Sequence, residues 1–90
     1  MIKQVIQYLI EHKITISTAE SCTGGLIAKQ ITDIPGASAV FVGGVVSYSN
    51  EMKMKILGVK RETLQQYGEV SENTIREMLD GIGKITGSDI

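Results

Sequence analysis

An α/β fold with a mostly parallel sheet is the fold class that this sequence predicts, and two observations carry the prediction. Two β-rich runs, residues 14–18 and 39–49, are each followed by a segment whose apolar residues recur at helical spacing. Strands that alternate with helices are typical of parallel sheets, because each helix returns the chain to the start of the next strand. A length of 90 residues with 42% hydrophobic composition fits one globular domain over residues 1–90.

The first half of the chain is predicted to contain two helices and two strands. Pro35 and Gly36 end the second helix, and His12 is expected to be a solvated residue at the end of the first. Gly43 and Gly44 interrupt the second strand, which indicates either a β-bulge or the close approach of another backbone or a ligand. In order, the predicted elements are a helix over 2–13, a strand over 14–18, a helix over 25–33 and a strand over 39–49.

The second half is predicted to be helical. Gly81 and Gly83 lie inside the last helix and indicate close packing against a neighbour. Residues 88–90 are predicted to begin another strand. The helices run from Glu51 to a C-capping Gly58, over 61–68, and onward from an N-capping Ser71. The predicted buried stripes consist of Ile2, Val5, Ile6, Leu9 and Ile10 in the first helix, and Ile75, Met78, Leu79, Ile82 and Ile85 in the last.

The predicted sheet is too small to stand alone. Only two complete strands are present, and open sheet edges seek further pairing. We therefore expect another subunit or further strands of a larger domain to complete the sheet. Completion by another subunit requires a homo-oligomer, a dimer or larger, and that is the assembly we expect.

Composition and charge exclude several classes of function. The net charge is −1 and the pI is about 5.7, whereas nucleic-acid-binding domains show a basic patch or stripe. Polar and charged residues interrupt the apolar opening segment, residues 1–16, so neither a signal peptide nor a membrane span is predicted there. We expect no nucleic-acid partner, no membrane association and a cytoplasmic location. Because Cys22 is the only cysteine and His12 the only histidine, no disulfide, thiolate metal cage or other metal site is expected.

The segment TAESCTGG, residues 18–25, lies between a predicted strand and a predicted helix. Ligands of α/β proteins bind at such strand ends. Ser21 is either a reactive hydroxyl beside helix-start N–H groups, which can hold an anion or an oxyanion, or a helix N-cap, as Thr23 could also be. The segment matches none of the patterns GxxxxGK[ST], GxGxxG or GxSxG. The local residues alone favour the cap.

Two neighbours of Ser21 have alternative roles. Cys22 is either a second candidate nucleophile or a small buried thiol, and the lack of a patterned His or Asn partner favours the buried thiol. Glu20 either orients a lysine or the substrate, or only favours the helix start. The residues do not decide between the roles of Glu20.

A second polar cluster, SYSNEMKMK, residues 47–55, ends the long strand and begins a helix. If the two strands are parallel, this cluster faces Ser21, and a lysine or tyrosine of lowered pKa is then the available activator of the serine. Lys53 is either that activator or a solvated helix charge, whereas Lys55 is interpreted as solvated. Ser49 and Asn50 are candidate helix caps as well as candidate ligand contacts.

The motifs TAESCTGG, ITDIPGAS, F..G.VSYSNEMKMKILGV and GEVSE together resemble the CinA C-terminal domain family (competence/damage-inducible protein). The resemblance covers residues 14–90 in order and spacing. It implies a three-layer α/β/α fold and hydrolysis of the amide of nicotinamide mononucleotide to nicotinate mononucleotide and ammonia. No metal or other cofactor is expected.

The resemblance also implies roles for individual residues. The proposed nucleophile of the family falls on Ser21, and the residues proposed for proton transfer fall on Tyr48 and Lys53. We expect contacts to the nucleotide substrate from the residues that flank them, namely Glu20, Thr23, Gly24, Gly25, Ser49 and Asn50.

One departure from the family pattern concerns length. Family domains continue with a strand, a glycine-rich TGIAGP-like loop and further sheet, whereas this sequence ends at Ile90. Three explanations stay open: a fragment of a longer protein, a short form completed by a partner chain, or an inactive remnant. The alternative to an amidohydrolase is accordingly a non-catalytic nucleotide-binding or assembly module.

Overall fold

Two parallel strands form the middle layer of the fold, with helices on both faces. The computed structural model describes all residues, 1–90. The helices are α1 (Ile2–His12), α2 (Leu26–Thr32), α3 (Asn50–Leu57), α4 (Arg61–Tyr67) and α5 (Glu72–Thr86), the strands are β1 (Ile16–Glu20) and β2 (Phe41–Val46), and a 3₁₀-helix covers Ala37–Ala39. The predicted α/β fold class is confirmed, and so is each predicted helix to within one or two residues.

Both strands are displaced from their predicted bounds. β1 covers Ile16–Glu20 and not 14–18, so Glu20 belongs to the strand. β2 is shorter than the predicted run 39–49 because Ala37–Ala39 form the 3₁₀-helix before it and Ser49 caps α3 after it. The strand ends therefore lie directly beside the two polar clusters.

The glycine pair of β2 combines a bulge with a close approach. The register pairs Ile16 with Phe41 but Ser17 with Gly43, so one extra residue is accommodated in β2. A Cβ at Gly44 would lie 2.2 Å from Oγ1 of Thr18. The predicted bulge is confirmed, whereas the atom that approaches Gly44 most closely belongs to a side chain of β1 and not to a ligand or another backbone.

Ile90 pairs with β1 through two backbone hydrogen bonds. The N–H of Ile90 donates to the carbonyl of Thr15 (3.0 Å), and the N–H of Ser17 donates to the carbonyl of Ile90 (2.8 Å). One residue bonded to two residues of its neighbour in this way is the repeating unit of a parallel ladder. These bonds are the pairing that a strand beginning at 88–90 would make, but the sheet itself consists of β1 and β2 alone.

Two hydrophobic cores lie on opposite faces of the sheet, as a three-layer fold requires. The first core joins α1, α2 and the segment before β2, and the second joins α3 and α5, with Ala19 and Val45 of the strands packed against it. The first consists of Ile6, Leu9, Ile31, Ala37 and Val40, and the second of Leu57, Val59, Met78 and Ile82.

The predicted stripe of α5 is only half buried. Met78 and Ile82 are buried, but Ile75, Leu79 and Ile85 are exposed, so the prediction for these three is wrong. Val5 of α1 is exposed in the same way. Periodicity identifies an apolar face, but burial also requires a partner, and the chain supplies partners for only one side of α5.

The two glycines of α5 differ in their surroundings. A Cβ at Gly81 would lie 1.9 Å from the carbonyl oxygen of Leu57, so α3 and α5 are in backbone contact there. Nothing lies within 4 Å of a Cβ at Gly83. Close packing is therefore confirmed for Gly81 and wrong for Gly83.

Alanine at these two positions should have opposite effects on stability. Gly81→Ala forces α3 and α5 apart and should lower the free energy of unfolding by about 1–3 kcal/mol or more. Gly83→Ala, the matched control, should raise it by about 0.5–1 kcal/mol because alanine favours a helix interior. Urea unfolding of both variants measures the difference. Equal midpoints for the two variants would contradict the contact at Gly81.

Candidate active site

A cleft of about 510 Å³ lies at the carboxyl ends of β1 and β2 and is bordered on one side by α5. Side chains from both polar clusters line it, including Ser21, Tyr48 and Lys53. The prediction that the two clusters meet is confirmed, because parallel strands bring their carboxyl ends to the same edge of the sheet.

Ser21 begins the turn between β1 and α2. Its hydroxyl makes no hydrogen bond to the protein, and the N-cap position of α2 is occupied by Gly25, which has no side chain to accept a hydrogen bond. The interpretation of Ser21 or Thr23 as the N-cap is therefore wrong. The turn depends on Gly24 and Gly25, whose φ angles are +66° and +99°, a region that favours glycine.

Glu20 caps α2 from the end of β1. Its Oε1 accepts hydrogen bonds from the hydroxyl of Thr23 (2.8 Å) and the N–H of Ile27 (2.9 Å), and its Oε2 accepts one from the N–H of Ala28 (3.0 Å). Burial alone would raise the pKa of Glu20, but these hydrogen bonds together hold the pKa below its usual value. Glu20 is thus an anion fixed at the positive end of α2.

Lys53 is a buried amine without a carboxylate partner. The residue is 2% exposed, and it forms no salt bridge. Its Nζ donates one long hydrogen bond to the carbonyl of Tyr48 (3.4 Å). A buried polar group with so few partners is costly, which makes Lys53 a candidate functional residue. Lys55, by contrast, is exposed as predicted.

The remaining predicted contacts divide between the cleft and its margin. The side chain of Tyr48 is exposed and lines the cleft, and Thr23 lines it too. Ser49 caps α3 by accepting a hydrogen bond from the N–H of Met52 (3.2 Å), and Asn50 is the first residue of that helix. Contact of a ligand with Ser49, Asn50, Gly24 or Gly25 stays a prediction.

Seven lining residues were not predicted as site residues, namely Ala19, Cys22, Ile27, Glu69, Val70, Ile75 and Met78. Cys22 is exposed at the cleft, so its interpretation as a buried thiol is wrong. The turn beyond β1 leaves the sheet at this point and offers the thiol no core to pack into. Glu69 and Val70 line the cleft from the loop between α4 and α5. Both residues belong to the motif GEVSE. The position of this motif in a loop between two helices was the feature of the sequence from which they could have been identified.

The side chains that line the cleft carry hydroxyl groups, one amine and carboxylates. No three His, Cys, Asp or Glu side chains lie close enough together to bind a metal ion. Elsewhere, none of the helices combines the length and the hydropathy that a bilayer crossing requires. His12 is exposed at the end of α1, as predicted, and its Nδ1 lies 2.9 Å from the carbonyl of Tyr8.

The family model described as the CinA C-terminal domain matches residues 1–90. The chain belongs to this family. A CinA-like protein of Thermotoga neapolitana is 54% identical over 86 residues, and a CinA-like protein of Endomicrobium trichonymphae is 59% identical over 81 residues. These alignments cover 96% and 90% of the chain but 21% and 19% of the relatives.

Solved CinA-type structures have the same fold. The competence damage-inducible protein A of Klebsiella pneumoniae superimposes with a TM-score of 0.95 at 37% identity, and a CinA superfamily protein of Escherichia coli with 0.95 at 33% identity. Each alignment covers 98% of this chain, but only 55% and 51% of the two solved chains. The chain therefore spans about half of each of these two structures and about a fifth of the two CinA-like relatives.

Proposed function

We propose that this CinA domain hydrolyses the amide of nicotinamide mononucleotide to nicotinate mononucleotide and ammonia. One observation carries the proposal: a serine hydroxyl without a hydrogen-bond partner and a buried lysine without a counter-ion line the same cleft. A hydroxyl and an amine are the minimum for an amidase that uses serine as nucleophile and lysine as base. Tyr48 lines the same cleft and supplies a second group that can transfer a proton.

The proposed reaction proceeds in two steps. The amine of Lys53 takes the proton of Ser21, directly or through Tyr48, while Oγ attacks the carboxamide carbon. The carbon–nitrogen bond then breaks, and the proton passes to the departing nitrogen as ammonia. Water attacks the resulting ester, restores the hydroxyl of Ser21 and gives the carboxylate product.

Stabilisation of the oxyanion falls to the turn and not to the start of α2. Glu20 occupies the N–H groups of Ile27 and Ala28, which removes them as donors to a substrate. The N–H groups of Cys22 and Thr23 make no hydrogen bond within the chain. We assign these two peptide groups as donors to the oxygen that becomes negative when Ser21 attacks.

Ammonia release from nicotinamide mononucleotide tests the proposal. Ser21→Ala should lower the rate at least about 1000-fold, because it removes the hydroxyl that attacks the carboxamide. Cys22→Ser is the matched control, since it changes the adjacent exposed residue and should retain most of the activity. A coupled assay for ammonia measures both variants.

Two results would decide against this assignment. Equal rates for the wild type and Ser21→Ala would show that Ser21 takes no part in the mechanism. Loss of activity in Cys22→Ser but not in Ser21→Ala would identify Cys22 as the nucleophile. Binding of nicotinamide mononucleotide without ammonia release by the wild type would favour the non-catalytic nucleotide-binding module. Calorimetric titration of the same protein provides that binding measurement.

A further inference from the structure

Glu69 is the one charged side chain of the cleft that is free to meet a ligand. Of the three charged residues that line the cleft, Lys53 is buried and Glu20 has both oxygens bonded to its own chain. Glu69 is exposed and forms neither a hydrogen bond nor a salt bridge. The accessible part of the cleft therefore carries a negative charge.

The surfaces around this carboxylate suit a flat ring. Ile27, Ile75 and Val70 line the cleft with exposed apolar side chains, and the ring of Tyr48 is exposed beside them. Apolar and aromatic surface next to a carboxylate is a suitable environment for an aromatic cation, because the ring is desolvated while its charge stays paired.

We propose that Glu69 is a specificity-determining residue that selects a cationic N-alkylpyridinium ring over a neutral one. The inference rests on the proposed function for the identity of the ring, since nicotinamide mononucleotide carries a permanent positive charge on its ring nitrogen. The product ring carries the same charge together with a new carboxylate. Glu69 attracts the substrate ring and repels the carboxylate of the product, so it also favours product release.

Binding of two small rings tests the proposal without catalysis. 1-Methylnicotinamide is a cation and nicotinamide is neutral, yet the two have nearly the same shape. The wild type should bind the cation about two- to fivefold more tightly, the range expected of an exposed ion pair, and the preference should shrink at high salt. Titration followed by NMR measures both affinities.

Glu69→Gln removes the charge and keeps the shape of the side chain. It should bind the two rings equally, whereas Glu62→Gln, an exposed change in α4 with the same effect on net charge, should retain the preference. A preference that persists in Glu69→Gln overturns the proposal, as does equal binding, or no binding, of both rings by the wild type.

The proposed function can fail independently of this inference. If the wild type prefers the cation through Glu69 but releases no ammonia from nicotinamide mononucleotide, the role of Glu69 is supported and the amidohydrolase activity is ruled out. If the wild type releases ammonia but does not prefer the cation, the amidohydrolase activity is supported and the role of Glu69 is ruled out.

Discussion

Lys53→Met should reduce ammonia release about 100-fold or more while leaving the domain as stable as the wild type, or more stable. The rate falls because methionine cannot accept the proton of Ser21, and proton transfer of this kind contributes about 10²–10⁴-fold. Stability is retained because methionine fills the buried volume of the lysine and removes an amine that has one long hydrogen bond and no counter-ion. The expected gain is up to about 2 kcal/mol.

Lys55→Met provides the control for this experiment. Lys55 lies on the same helix but is exposed, so its loss should change neither rate nor stability appreciably. Ammonia release and urea unfolding are measured on both variants. A Lys53→Met variant that is both less stable and fully active would show that the amine serves the fold and not the chemistry.

The meeting of the two polar clusters could be predicted from the sequence because it depends only on strand direction. Two β-rich runs joined through a helix pair in parallel, and parallel strands end at the same edge. Ser21 follows β1 directly and Tyr48 follows β2 closely, so their place in one cleft required no knowledge of side-chain packing.

The side chain that accepts hydrogen bonds from the first N–H groups of α2 could not be predicted in the same way. Local cap rules consider the residues next to the first turn, which pointed to Ser21 and Thr23. The actual cap is Glu20, which belongs to the preceding strand and reaches the N–H groups of Ile27 and Ala28. That contact depends on the path of the turn through Gly24 and Gly25, which sequence patterns do not specify.

Exposure was the other property that patterns could not supply. Ile75 and Leu79 have the spacing of a buried stripe, and Cys22 has the size of a core residue, yet all three are exposed. An apolar residue is buried only if another element covers it. Ile75 and Cys22 line the cleft because they are exposed. Both residues were assigned to the core from the sequence and were therefore not included in the predicted site.

The capping contact of Glu20 has a consequence for the reactive turn. Glu20 accepts hydrogen bonds from Thr23, inside the turn, and from α2, beyond it, while the N–H of Ser47 donates to its carbonyl oxygen (2.8 Å). One residue thus connects β1, the segment after β2, the turn and α2. Ser21 is the next residue, so its position relative to Lys53 depends on Glu20.

Glu20→Gln should therefore lower both stability and activity. An amide keeps the shape of the side chain but loses its charge and turns an NH₂ group toward peptide donors, which should cost about 2–3 kcal/mol at pH 7. Ammonia release should fall through kcat more than through KM, because the turn is disordered while the walls of the cleft are retained. Glu62→Gln, which changes an exposed carboxylate without hydrogen bonds, is the control.

The pH dependence of unfolding separates the charge of Glu20 from its shape. Because the folded state holds the pKa of Glu20 below its ordinary value of 4.5, its contribution to stability is complete above that value and is lost as the pH falls through the lowered pKa. The difference in unfolding free energy between the wild type and Glu20→Gln should thus be largest near neutral pH and shrink in acid. A difference that stays constant from neutral pH into acid would show that the charge of Glu20 does not stabilise the turn.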